Sequence, residues 1–354
     1  MYESQIDTIP EHAGPFDAFF YKAFHRADFG LVKYSMGHLI DFVKGMDQLA
    51  KLLITDDLPS PLNRVVHESV SLLAPAPIQQ MLAQDKHKMD AQTLLRYAHY
   101  ALYHYKDKLN RLIEHFSRLD AWYSMAMATR HYGLQFPTFT TDQRPYIAAD
   151  GLFHILLQTP IPYQLEMNHE NNFIFLTGAN MAGKSTFIKA VGLAVYLAHI
   201  GMSVPAKSMD LTFFNGLLSN IQVTDNILKG ESYFFNEVQR IKNTITKINN
   251  GQKWLVLIDE LFKGTNVQDA MRCSSAVIKG LLKIENSLFI LSTHLYEIGE
   301  ELKEYPNIAF RYFETQVTDT RLEFSYRLKE GISNDRLGYL ILQREGVVDL
   351  IEKL

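Results

Sequence analysis

The nine residues Gly178-Ala179-Asn180-Met181-Ala182-Gly183-Lys184-Ser185-Thr186 constrain this chain more than any other segment. They follow the apolar run Phe173-Ile174-Phe175-Leu176 and precede a stretch rich in Ala, Val and Leu. Gly, four residues, Gly, Lys and then Ser or Thr, set between a buried strand and a helix, is the pattern of a phosphate-binding loop. The chemistry explains the spacing. Glycines let the backbone curl so that successive N–H groups point at the same phosphates, and the N-terminus of the following helix adds its partial positive charge there. Lys184 supplies a full charge for phosphate oxygens, and Ser185 offers its hydroxyl to Mg²⁺. A glycine-rich turn built without an anion would leave Lys184 pointing into a cluster of N–H donors.

Two further apolar runs, Trp254-Leu255-Val256-Leu257-Ile258 and Leu288-Phe289-Ile290-Leu291, are bounded by the same polar punctuation. Runs of four or five suit strands buried on both faces, with helices between them, in a mostly parallel α/β sheet. Open sheets of this kind bind ligands beyond the C-terminal ends of their strands, so the residues that end each run carry the chemistry. The second run ends in Asp259-Glu260. Asp259 fits a Mg²⁺ partner, and the adjacent Glu260 is suited to polarise a water in line with the γ-phosphate, which points to hydrolysis. The third ends in Ser292-Thr293-His294, where His294 is a candidate γ-phosphate sensor. From Ala309 to Leu328, β-branched and aromatic residues alternate with charged ones, which predicts a half-exposed antiparallel hairpin.

Everything before about residue 140 reads helical. Leu39, Phe42, Met46, Leu49 and Leu53 recur at helical spacing until Asp56-Asp57-Leu58-Pro59, and a second helix is expected from Leu62 to about Leu73. Neither Gly nor Pro interrupts 90–132, where Leu95, Leu102, Leu109 and Phe116 repeat every seven residues with Ala98, Tyr105, Leu112 and Leu119 at the other seam position. A continuous helix there would be about 60 Å long and act as a strut or lever. Its stripe fits a helical-bundle core or a coiled-coil dimer seam. The expected domains are a helical core and lever over 1–135 and a nucleotide domain over 136–354.

With 47% hydrophobic residues in a 354-residue chain there is ample core material, and 35 Lys plus Arg against 39 Asp plus Glu leave no global basic excess to advertise nucleic acid. A local bias exists. Lys86, Lys88, Arg96, Lys106, Lys108, Arg111 and Arg118 outnumber Asp90, Asp107 and Glu114 within one stretch, which fits either phosphate contacts or a solvated helix face. The lone Cys273 builds neither an internal disulfide nor a structural zinc site, and a reducing, cytoplasmic address is expected. The N-terminus lacks a secretory pattern. Residues 190–206 contain no acidic or basic side chain besides His199, but their Gly and Pro content and their place behind the loop predict a buried helix, not a membrane span.

Taken together, these segments resemble the ATPase end of the MutS mismatch-repair family. The loop from Thr177 to Thr186 differs from the family pattern chiefly in Ala179, where Pro is common. Gly230-Glu231-Ser232-Tyr233-Phe234-Phe235-Asn236-Glu237 resembles the family's signature segment, with Asp225-Asn226 ahead of it. Asp259 to Asn266 continues the strand motif, with Phe262 where better-known members carry Gly. Ser292 to Glu297 matches the switch segment, and Gly331 to Tyr339 the motif before the last helix. The resemblance implies an ABC-type ATPase fold using ATP and Mg²⁺. It also implies a homodimer with two composite sites, in which Ser232 of one subunit meets the γ-phosphate held by Lys184 of the other. Tyr163 or a neighbour ahead of the first strand is the expected contact for adenine.

Repair members of the family read lesions with a Phe-x-Glu wedge in a domain ahead of the helical core. No Phe-x-Glu tripeptide is expected in this chain. The reading is therefore an ATP-hydrolysing, DNA-associated dimer that couples nucleotide to a helical lever without reading mismatches. Its alternative is an ATP-dependent switch on a protein partner with no nucleic acid. A transporter ATPase is disfavoured by the absence of a Leu-Ser-Gly-Gly-Gln signature.

Overall fold

The structure, a computed structural model, describes residues 9–10, 14–221, 233–317, 322–333, 343 and 346–352. The chain divides into two compact units, Met1–Ala126 and Met127–Leu354.

The first unit is helical among its described residues: α1 (Pro15–Phe24), α2 (Arg26–Leu53), α3 (Ser60–Leu73), α4 (Ala76–Ala83), α5 (Ala91–His99) and most of α6 (Lys106–Tyr132). Proline opens α1, α3 and α4 within their first turn, where its missing N–H costs nothing. The deepest residues of α2 are Val32, Met36, Ile40, Val43, Met46 and Ala50. The stripe expected from Leu39 to Leu53 therefore flanks the buried line, with only Met46 lying on it. The facing side chains come from α3 (Leu72, Leu73), α4 (Ile78, Met81) and α5 (Leu94, Leu95).

The expected uninterrupted helix over 90–132 is not observed. Residues Tyr100–His104 form a π-helical turn, and Tyr105 leaves helical geometry at φ −121° and ψ −3°. A tertiary contact accompanies the break. Tyr105 is fully buried, and its hydroxyl donates to the Leu72 carbonyl at 2.6 Å, which gives a partner to one of the carbonyls that the last turn of α3 cannot bond internally. Of the heptad positions, Leu95, Ala98, Tyr105 and Leu112 are buried, while Phe116 is 45% exposed. The first half of the stripe is bundle core. Buried His115 also ties α6 to α3, its Nδ1 lying 2.9 Å from Ser69 Oγ and its Nε2 3.3 Å from Glu68 Oε2.

The second unit is mixed α/β, with two sheets. In the larger, β4 (Phe173–Thr177), β8 (Ser287–Ser292), β7 (Trp254–Asp259) and β6 (Gly216–Asn220) are parallel neighbours, β9 (Ile308–Val317) joins β4 in parallel, and β10 (Leu322–Glu330) closes the edge antiparallel. The mostly parallel sheet and the terminal hairpin are as the sequence predicts. Alternate strand residues enter two separate cores, which is why each run is apolar throughout. Ile174, Leu176, Leu255, Leu257, Leu288 and Ile290 face α7 (Lys184–His199) and the small sheet. Phe173, Phe175, Val256, Ile258, Phe289 and Leu291 face the layer of α8 (Tyr233–Ile248), α9 (Val267–Leu281) and α10 (Glu297–Leu302). A further helix, α11, spans Val347–Glu352.

The small sheet runs β1-β5-β2-β3, with β1 Thr138–Thr140, β2 Ile147–Leu152, β3 Tyr163–Met167 and β5 Ser208–Thr212. Its inward residues Ile147, Leu165, Met167 and Leu211 cover α7, so this helix is buried between two sheets. Gly192 permits the approach, since a Cβ there would sit 2.6 Å from Leu257 Cδ1. Residues 190–206 thus form a packed helix and a turn, and among the described residues no helix is long and apolar enough to cross a membrane.

Candidate active site

The site lies beyond the C-terminal ends of β4, β7 and β8. After β4 the chain turns through Gly178 (φ +129°), Met181 (φ +67°) and Gly183 (φ +111°) before entering α7. Gly183 is the N-cap of α7 in the left-handed region, where glycine carries no steric penalty. A Cβ on Gly178 would meet the Phe313 carbonyl oxygen at 3.2 Å, so β9 also requires glycine there. Ala179 and Ala182 are buried beneath the loop and Met181 is 73% exposed at its crest.

Lys184 points back under this loop. It is 5% exposed, and its Nζ donates to the carbonyls of Gly178 (2.7 Å) and Ala179 (3.0 Å). Burial disfavours its charged form and lowers its pKa to about 8, although Glu260 and Asp259 pull the other way. Ser185 donates to Asp259 Oδ2 at 2.6 Å, and Ser292 donates to Asp259 Oδ1. Asp259 and Ser292 are register partners of β7 and β8, which brings these groups together.

Glu260 follows with φ +64°, its N–H donating to the Ser292 carbonyl at 3.0 Å. Its carboxylate is held from two sides, by His294 Nε2 at 2.6 Å on Oε1 and by Lys263 Nζ at 2.7 Å on Oε2. Burial alone would raise its pKa, but the hydrogen bonds from His294 and Lys263 outweigh that and hold it down to about 2. Thr293 N–H extends the ladder to the Leu176 carbonyl at 3.0 Å. The three strand-end motifs thus converge on one edge.

A cavity of about 690 Å³ opens over this edge. Lys184, Ser185, Thr186 and Glu260 line it together with Ile161, Tyr163 and Tyr326, and the Tyr326 ring lies beside Gly183 of the loop. Tyr163 is largely committed to the core, its ring edge-on to Phe187 and Phe313. Tyr326, which the sequence reading did not single out, sits at φ +51° where the β9–β10 register shifts, and it is 42% exposed. Only the bulge turns it toward the cavity, and alternation along a strand does not reveal a bulge. Ser333 N–H donates to Thr177 Oγ1 at 2.9 Å, so the first part of the Gly331–Tyr339 motif meets the end of β4.

Ser232, Asp225, Asn226 and Asn334 to Tyr339 lie outside the described residues. The expectation of no Phe-x-Glu tripeptide is incorrect, since Phe235-Asn236-Glu237 is one. It sits on α8, and its Glu237 is buried against backbone N–H groups of Lys263 and Gly264.

Among the described residues, no three His, Cys, Asp or Glu side chains gather to hold a metal by themselves. Ser185 and Asp259 do present a hydroxyl and a carboxylate oxygen side by side, the hard donors that Mg²⁺ takes when substrate phosphates and water complete its shell.

These features define a mixed α/β domain with a Gly-Lys-Ser loop, two strand-end carboxylates and a histidine on one ligand-facing edge. Residues 174–351 match the family model of MutS domain V. The chain is similar to the DNA mismatch repair protein MutS of Petrotoga mobilis, at 27% identity over 253 residues that make up 70% of this chain and 31% of that protein. It is also similar to MutS of Geobacillus sp. strain WCH70, at 30% identity (66% of this chain, 27% of that protein), and to the mismatch repair protein MSH3 of Candida glabrata, at 29% (69% and 24%). The chain belongs to the MutS family, and its matches span about a third or less of these relatives' length.

The burial of Lys184 would give the binding of a polyphosphate there a pH dependence of defined sign. A polyphosphate beside the ammonium favours its charged form, so the complex binds a proton more tightly than the free site, whose Lys184 pKa is about 8. The Lys184 contribution to triphosphate affinity is expected to be constant below about pH 7 and to fall by up to about tenfold per pH unit above pH 8. Calorimetry in buffers of different ionisation enthalpy should register proton uptake at pH 8.5. Constant affinity from pH 7 to 10 would contradict the burial of this charge.

Proposed function

We propose that the chain is an ATP-hydrolysing MutS-family protein that works as a homodimer and couples nucleotide to its helical unit. The observation that carries this reading is the convergence of Lys184, Ser185, Asp259, Glu260 and His294 on one edge. In it, the N–H groups from Gly178 to Gly183 and the Lys184 ammonium bind the phosphates. Ser185 and Asp259 would hold Mg²⁺, which when bound would supply charge neutralisation to the phosphates. Glu260 orients and deprotonates the attacking water, and His294 donates to the γ-phosphate. Adenine would lie against Tyr326, whose ring lines the same cavity as the phosphate loop. The free Cys273 is in keeping with a reducing, cytoplasmic setting.

Glu260→Gln keeps the shape and removes the base. Turnover should fall about 10²-fold or more while ATP binding persists; turnover within twofold of the parent would move the base elsewhere. Composite sites are tested by mixing. Lys184→Ala and Ser232→Ala chains should each be inactive, yet exchanged heterodimers keep one site with both groups intact and should regain part of the activity. Heterodimers without any recovery would count against Ser232 acting across the dimer.

For DNA, the proposed contacts are to phosphates, which position a protein without reading sequence. One observation favours the alternative of a protein partner. Lys86 faces Asp41, Lys88 faces Asp85 and Arg111 faces Glu68, acids that lie outside the counted stretch, so folding compensates part of the basic excess counted along the chain. Anisotropy titrations at two salt concentrations separate the two readings. The DNA reading expects weak affinity that drops steeply with salt and differs less than about threefold between matched and mismatched duplexes. No binding at low salt selects the protein-partner switch.

A further inference from the structure

Glu237, on the first turns of α8, is 4% exposed. A carboxylate this deep in the protein needs donors to offset its desolvation, and it finds them in another element. Its Oε1 accepts the Lys263 N–H and its Oε2 the Gly264 N–H, each at 3.2 Å. Both donors belong to the loop after β7. That loop carries two non-glycine residues in the left-handed region, Glu260 at φ +64° and Phe262 at φ +58°, a conformation that persists only where surrounding contacts impose it. A second contact from the same helix adds to the constraint, with the rings of Phe234 and Phe262 5.7 Å apart.

The connection then runs on to the reacting end of the site. Lys263, whose backbone Glu237 holds, places its ammonium 2.7 Å from Glu260 Oε2. We propose that Glu237 is a positioning residue for hydrolysis: by clamping Lys263 and Gly264 it makes the placement of Glu260 depend on the placement of α8. Glu237 does not line the nucleotide cavity, so it acts through the loop and not on the nucleotide. This rests on the ATP-hydrolysis reading, which assigns Glu260 its role and leaves Glu237 without one.

The test uses the full chain and compares the parent with Glu237→Ala and Glu237→Gln. Three quantities are read: kcat and KM for ATP, the Kd of a fluorescent ATP analogue, and amide hydrogen exchange at Lys263 and Gly264. Glu237→Ala should lower kcat at least tenfold, keep Kd within twofold, and speed exchange at both amides. Glu237→Gln retains one carbonyl acceptor and should lose only about threefold in kcat. A parent that hydrolyses ATP beside a Glu237→Ala variant with unchanged kcat overturns this proposal alone, as does a loss of nucleotide binding in step with turnover. A parent that neither binds nor hydrolyses ATP overturns the ATP reading and this proposal with it, even if the two amides are freed. Where Glu237→Ala fails to fold, Glu237→Gln decides: the threefold fall at constant Kd supports the clamp, and unchanged kcat refutes it.

Discussion

Asp259 ends β7 with both carboxylate oxygens committed, one to Ser185 on α7 and the other to Ser292 at the end of β8. Three elements far apart in sequence are thereby pinned at one point. The geometry has little slack, because the parallel ladder sets β7 against β8 with Asp259 opposite Ser292, and β4 against β8 with Leu176 opposite the same serine. The loop after β4 must return α7 so that Ser185 reaches the carboxylate, and that return is what the positive φ of Gly178 and Gly183 provides. Glu260 then inherits its place from the ladder, through its N–H on the Ser292 carbonyl.

What was legible in the sequence follows from this layering. β4, β7 and β8 stand out because each sends alternate residues into two different apolar layers, so no polar residue interrupts them. The small sheet escaped because only one of its faces is covered: Asp150, Gln164, Glu166 and Asp210 face outward, and the strands are too short to show a period clearly. β6, a half-buried edge strand reading Gly-Leu-Leu-Ser-Asn, gave no stronger signal. At the site, the strand-end residues could be found because the chemistry sits at the end of an apolar run. Tyr326 and Glu237 could not, the first because a bulge reorients it and the second because its partners are on a loop 26 and 27 residues away.

The helical unit shows the opposite limit. Absence of Gly and Pro from 90–132 permitted a continuous helix but did not require one, and a single buried hydroxyl bond from Tyr105 to the end of α3 accompanies the break. Charge is subject to the same rule. Counting along the chain from Lys86 to Arg118 omits Asp41 and Glu68, which α2 and α3 bring against Lys86 and Arg111. A basic stretch becomes a basic face only if the fold leaves it unmatched.

The environment of Glu260 imposes a condition on the proposed hydrolysis. A carboxylate held at a pKa of about 2 by His294 and Lys263 is well oriented and fully ionised, but it is a weak base. The same two groups are those that an incoming anion would attract. In the proposed reading, a γ-phosphate competes with Glu260 for His294, and as each hydrogen bond is surrendered the carboxylate becomes more basic at the moment a water needs deprotonation. Lys263 differs from His294 in that its backbone N–H is bonded to Glu237 while its side chain reaches Glu260. A shift of the loop after β7 would carry the Lys263 backbone with it, and α8 would then have to follow or give up Glu237. On that reading substrate arrival bears on one oxygen of Glu260, while the other is linked through Lys263 to the loop that α8 holds by Glu237.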